Sequence, residues 1–264
     1  MKTGVYKATK KNNSVYYRCS LTKGNKHISL GSYETSALAH KAYKEGKELL
    51  SNTSITLTNI SFSSYTLNYD KIICLINLRD NGIYFKTPIY LQKGFFLYYL
   101  GPHLIYKFDN EDLFYYSEHK IQKRGGHLFV SDYGMQYNIY QRYGIMNFAV
   151  EGRDYEFANG DSTDMRYQNI IVINKYRGVS KSINKGREQF TAKININGDY
   201  ILGRYSSEAK AAVAYNKAAD LLMANGFNKN YSLNYVSEYT GKEYADIYSS
   251  INLSKKFMSY IQTL

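Results

Sequence analysis

Tryptophan is absent, and proline and cysteine occur only twice each. With so little proline, 44% hydrophobic residues and 21% charged residues, the composition is that of a folded, soluble chain. Cys19 and Cys74 show no metal-ligand spacing. They read as reduced, partly buried thiols of a cytosolic protein. No stretch approaches eighteen uninterrupted apolar residues, and no N-terminal segment has the apolar core of a signal peptide. The expected location is therefore the cytoplasm, that of the host cell if the chain is viral. What abounds is tyrosine, thirty residues, alongside Asn, Ile and Lys. AT-rich coding accounts for most of that bias, although tyrosine also stacks on bases and hydrogen-bonds to phosphate.

Acidic residues are the minority, 22 against 34 Lys and Arg, for a net charge of +12. Such a charge points to a polyanionic partner, most simply nucleic acid. Residues 1–50 hold ten Lys/Arg against three Asp/Glu, and residues 176–240 hold nine against five. Residues 71–175 are nearly balanced, twelve against eleven. The positive charge thus forms two blocks around a neutral middle. Neither block contains a long basic amphipathic helix, so a membrane surface is not the expected partner.

The two blocks are copies of one another. Gly4-Val5 matches Gly178-Val179, and Leu30-Gly31-x-Tyr33 matches Leu202-Gly203-x-Tyr205. Ala37, Ala39, Ala42, Tyr43, Leu49 and Leu50 then fall on Ala209, Ala211, Ala214, Tyr215, Leu221 and Leu222, and each copy ends in Leu-Asn-Tyr. Tyr17, Cys19 and Leu21 alternate with Arg18, Ser20 and Thr22, the period of a strand covered on one face. Phe190, Ala192, Ile194 and Ile196 alternate likewise with Thr191, Lys193, Asn195 and Asn197. "HISLGSY" and "YILGRY" read as further strands, and Lys23-Gly24-Asn25 and Asn197-Gly198-Asp199 as turns. Ala- and Leu-rich helices follow, capped at Thr35 and at Ser206-Ser207. One helix covers only one face of such a sheet, and the open face suits the DNA major groove.

This order of residues resembles the plant ethylene-response-factor (APETALA-type) DNA-binding domain, which also occurs in homing endonucleases. The signals are G-V, the aromatic-x-A-x-I strand, L-G-x-aromatic and A-x-x-A-Y. The resemblance implies contacts from the open face: Tyr6, Ala8, Arg18, Ser20, Thr22, His27 and Ser29 in the first copy, and Arg177, Ser180, Ser182, Lys193, Asn195, Asp199 and Ile201 in the second. Lys7, Lys10, Lys11, Lys181, Lys185 and Arg187 stand nearby as phosphate contacts. The family's arginines and tryptophan are largely missing here, so base preference does not transfer.

Between the copies, "DNEDLFYYSEHKIQKRGGHLFV", "QRYGIMN" and "EFANGDSTDMRYQN" stand in order. They resemble the HNH homing endonucleases, whose last motif runs D-H-I-N-G-D-x-x-D-N-R-x-x-N. In that family the histidine takes a proton from water, and a divalent metal stabilises the leaving oxygen. The resemblance places Glu156 at the acid and Phe157 at the histidine. Asn159, Gly160, Asp161, Asp164, Arg166 and Asn169 fall on positions that build the finger's turn and helix. An earlier family histidine falls on Gln141 or Arg142, and Asn174 is the only nearby substitute for a metal-side asparagine. Phenylalanine accepts no proton, and loss of a general base costs about two to four powers of ten in rate. No catalytic residue, metal ligand or cofactor is therefore expected. His103, His119 or His127 could restore a base only by entering the site from another strand.

The expected fold class is α+β: two three-stranded-sheet-plus-helix DNA-binding domains, 1–70 and 176–240, flanking a degenerate HNH (ββα-metal-like) domain, 71–175. A helical tail, 241–264, carries apolar residues at helical spacing. It is read as packing back on the body, with homodimerisation or a protein partner as the alternative. The expected function is sequence-specific binding of double-stranded DNA without cleavage, as a regulator or blocker in a phage or mobile element. Two readings compete with it. One is an active nuclease with a rearranged Mg²⁺ site at Glu156, and the other a counter-defence protein that docks on a nucleic-acid-guided or restriction effector.

Overall fold

The computed structural model describes residues 2–147 and 149–264. It is mixed α+β, with five small antiparallel sheets and six α-helices among the described residues. None of those helices is long and apolar enough to cross a membrane. The chain divides into two compact units, Met1–Asn138 with Asp161–Asn169, and Ile139–Gly160 with Ile170–Leu264.

The first unit opens with a meander of β1 (Val5–Thr9), β2 (Val15–Lys23) and β3 (Lys26–Tyr33). Strand alternation sends Val5, Cys19, Leu21, Ile28 and Leu30 to one face, where all are buried under α1 (Ser36–Ser51). Thr35 starts that helix, its hydroxyl accepting from the Leu38 N–H at 3.2 Å. After a Ser/Thr-rich loop, Asn68 caps α2 (Tyr69–Asn81), and Gly82 ends it in the left-handed region. Ile72, Leu75 and Ile76 of α2 join the same core, so the apolar cluster of the first copy runs past residue 70.

Two further meanders follow in this unit. β4 (Ile89–Leu91), β5 (Phe95–Gly101) and β6 (Leu104–Asp109) carry an aromatic core with α3 (Leu113–Glu118). Phe108 lies 4.7 Å from Tyr116 and 5.4 Å from Phe96, centroid to centroid. β7 (Ile121–Arg124), β8 (His127–Asp132) and β9 (Met135–Asn138) form the other. Residues 161–169 attach through Lys107, whose N–H donates to Thr163 O and whose carbonyl accepts from Met165 N.

In the second unit a short pair, β10 (Tyr155–Phe157) with β11 (Ile170–Val172), precedes the second copy: β12 (Val179–Asn184), β13 (Arg187–Asn195), β14 (Asp199–Tyr205) and α4 (Glu208–Ala224). Phe190, Ala192, Ile194 and Leu202 meet the alanine-rich face of α4. The tail forms α5 (Gly241–Ser250), begun by a Thr240–Glu243 capping box, and α6 (Lys255–Ile261). Ile251, Phe257 and Ile261 are buried in that core, so the tail does pack back on the body.

The shared motifs have a packing explanation. Gly4 and Gly178 sit at φ +73° and +70°, and an added Cβ would lie 2.1 Å from the Tyr43 ring and 2.3 Å from the Tyr215 ring. Glycine is thus the residue over which the helix tyrosine can lie. Leu-Gly marks a bulge at equivalent places, where pairing shifts after Cys19/Gly31 and after Ala192/Gly203. The bulge lets Leu30 and Leu202 point inward beside an inward-facing glycine.

One helix position solves the same task with opposite charge. Glu45, only 8% exposed, accepts from the N–H groups of Thr66 and Leu67 at 2.9–3.0 Å. Lys217, its counterpart, donates to the carbonyls of Tyr248 and Ile251, both at 2.8 Å. Each ties the helix to the chain that follows. Glu45→Ala should leave the buried Leu67 N–H and the half-buried Thr66 N–H without their acceptor and lower stability by about 2–3 kcal/mol, read from urea unfolding.

Candidate nucleic-acid interface

The face of the first sheet away from α1 is open. Register places Tyr6 opposite Arg18, Ala8 opposite Tyr16, Ser20 opposite Ser29, and Thr22 opposite His27 on it. Tyr6 is 54% exposed, and Arg18, Thr22, His27 and Ser29 are also exposed. Arg18 donates to the Tyr16 hydroxyl at 2.9 Å, with its guanidinium 5.6 Å from that ring's centroid. Lys10 and Lys11 stand exposed in the β1–β2 turn.

Two expected contacts of this copy need correction. Ser20 is only 7% exposed, and its N–H donates to the Gly4 carbonyl at 3.0 Å as the β1–β2 ladder continues. Lys7 pairs opposite Tyr17, a residue of the helix side, and so leaves the sheet away from the open face.

The second sheet has the same open face with more charge. Ser180, Thr191 and Arg204 lie in one row across it, Lys193 pairs with Ile201, Asn195 with Asp199, and Asn184 with Arg187. Ser182, Lys185, Arg187, Asn195, Asp199 and Ile201 are exposed, and Ser180, Lys193 and Arg177 half-buried. Lys181 is again the correction. It lies opposite Phe190, on the helix side, and its ammonium is paired with Glu188.

Tyr16 and Arg204 complete the open faces beyond the contacts expected there. Tyr16 was legible, standing two residues before Arg18 on a strand of period two. Arg204 was not, because the bulge at Leu202-Gly203 puts Ile201 and Arg204 on the same side despite their odd separation.

The middle motif is divided between the units, with Glu156 and Phe157 in the second and Asp161–Asn169 in the first. Glu156 is exposed on β10. Phe157 is 7% exposed, opposite Ile170 and edge-on to Tyr155 at 5.8 Å, so it is an apolar core residue of its strand pair. The finger helix that the resemblance implies is replaced by one 3₁₀ turn at Tyr167–Asn169. Each polar residue of the turn has a local task. Asp161 accepts from the N–H and hydroxyl of Thr163, Asp164 takes a two-pronged bond from Arg166, and Asn169 donates to Asp164 O at 2.8 Å. Asn174 is buried and bound to Arg153 O, Asp154 and the Lys181 N–H. His103 and His127 are exposed and His119 stacks on Tyr115, all three in the first unit. Among the described residues no three His, Cys, Asp or Glu side chains gather as a metal group.

The hydrogen bonds from Arg166 hold the Asp164 carboxyl below its ordinary value of 3.8. Because the folded value is the lower one, this stabilisation is complete above 3.8 and drains away as the pH falls through the folded value. Asp164→Asn should therefore lower the melting temperature at neutral pH and flatten its decline in acid, as calorimetry over a pH series would show.

No protein family, characterised protein or solved structure matches this chain.

Proposed function

We propose that the chain binds double-stranded DNA through its two repeated sheets and does not cleave it, having descended from an HNH homing endonuclease. The repeated fold itself carries this reading. Two copies of one sheet each bury a single face under a helix and leave the other open, with Arg18 on one and Arg187, Lys193 and Arg204 on the other. A net charge of +12 favours the same partner. Two weak readers on one chain act as one strong one, since binding of the first makes the second intramolecular. Loss of cleavage is supported by Phe157, which fills the place of the proton acceptor and packs as a core side chain.

Such a protein would regulate transcription from, or block access to, a long site in a phage or mobile element. Supercoiled DNA with Mg²⁺ or Mn²⁺ tests the second half of the proposal. The expected result is a retarded band with no nicked product. Nicking that vanishes in Glu156→Ala would instead establish an active nuclease.

A further inference from the structure

The second copy carries a feature beyond its open sheet face. At one end of its open face, Met146, Asn147, Ala149, Arg153 and Asp154, with Lys229, Asn230 and Tyr231, wall off a cleft of about 370 Å³. That volume lies at the low end of the roughly 300–1,000 Å³ typical of small-molecule sites. Four cations line it, Arg153, Arg177, Lys193 and Lys229, against two carboxylates, Asp154 and Asp199.

Both carboxylates are already engaged. Asp154 is bound by Arg153, Asn174 and the Val150 N–H, and Asp199 accepts from Asn195. Lys229 is anchored on Asn195 O at 2.9 Å. Lys193, by contrast, has no ion pair or hydrogen bond from its ammonium among the described residues. Arg177 is fixed by its backbone, with its N–H on Asn234 Oδ1 and its carbonyl on Asn234 Nδ2. Its guanidinium meets the Tyr215 hydroxyl, yet its Nε is buried without a partner. A buried guanidinium donor left unsatisfied is costly unless something occupies the space before it. The counterparts of Arg177 and Lys193 in the first copy are Thr3 and Ser20, so neither charge is required by the fold. Met146, Ala149 and the edges of Tyr176 and Tyr231 line the rest, an apolar surface larger than a bare oxyanion needs.

We propose that this cleft binds one nucleoside phosphate, with Arg177 and Lys193 on the phosphate oxygens and the sugar and base against the apolar wall. Guanidinium and ammonium groups held within reach of one another are the usual partners of a phosphate. Such binding does not require the open faces to take duplex.

Equilibrium dialysis of the full chain with labelled deoxyadenosine monophosphate tests it. Binding should saturate at one site and be displaced by inorganic phosphate, and by deoxyadenosine only at much higher concentration. Lys193→Met and Arg177→Met should each weaken it about tenfold or more. Lys229→Met, which alters no strand, should weaken it while leaving duplex binding intact. A short 5′-phosphorylated single strand in place of the mononucleotide shows whether the phosphate comes from a free nucleotide or from a strand end. Absence of saturable binding by either probe, competition by deoxyadenosine as strong as that by the unlabelled monophosphate, or full binding by Lys193→Met would overturn the proposal. Duplex binding by a chain that takes neither probe would sink the cleft alone and leave the proposed function standing.

Discussion

Gly178→Ala is expected to destabilise the second unit by about 3–5 kcal/mol. Two costs combine. The residue sits at φ +70°, where an L side chain is strained, and the new Cβ would lie 2.3 Å from a Tyr215 ring carbon and 2.4 Å from Lys193 O. Neither neighbour yields easily, since Tyr215 is buried and the Lys193 N–H is bonded at 2.7 Å to the Gly178 carbonyl itself. Gly4→Ala should cost the first unit a similar amount, because its Cβ would lie 2.1 Å from Tyr43 and 2.8 Å from Ser20 O. Denaturant unfolding followed by tyrosine fluorescence and circular dichroism would check both. A loss under about 1 kcal/mol at either site would show that the glycine–tyrosine contact is not what the Gly-Val and Ala-Tyr motifs preserve.

The second large effect concerns binding. Replacing Arg187, Lys193 and Arg204 together by alanine should lower duplex affinity at least about 100-fold at moderate salt, since each can make a charge-assisted bond to phosphate. The slope of log affinity against log salt should fall by about 0.9 for each phosphate no longer neutralised. Lys7→Ala and Lys181→Ala are the controls. Both lysines lie on the helix side of their sheets, so affinity should hold within about twofold if the open faces are the contact surfaces. Fluorescence anisotropy with a labelled random duplex, repeated across a salt series, reads both quantities.

Much of this architecture was legible in the residues themselves. The alternation of Tyr17, Cys19 and Leu21, and of Phe190, Ala192 and Ile194, gave each central strand and its buried side. Thr35 marked the start of the first helix and Ser207 that of the second. The apolar spacing of Ile251, Phe257 and Ile261 marked a tail that packs on its own unit. Other features were hidden for identifiable reasons. A bulge changes the phase of a strand without changing its composition, so Arg204 and Ser32 reach the open face against a strict count of two. The run Phe95–Leu100 is apolar at every position, and a period of two cannot be read where nothing alternates. The cleft at Arg177 and Lys193 depends on Met146, Ala149, Arg153, Lys229 and Tyr231, which only the folded chain assembles. In the motif around Glu156 the polar residues Asp164, Arg166 and Asn169 bond within a turn, and Phe157 is buried, neither of which the motif's spacing displays.

Hydroxyl-radical footprinting on a duplex selected from a random pool tests the shared role of the two open faces most directly. Two protected tracts are expected, with Arg18→Ala weakening one and Lys193→Ala with Arg204→Ala weakening the other, and with no strand scission in Mg²⁺. A single tract indifferent to Arg18, or no protection at low salt, would contradict the account.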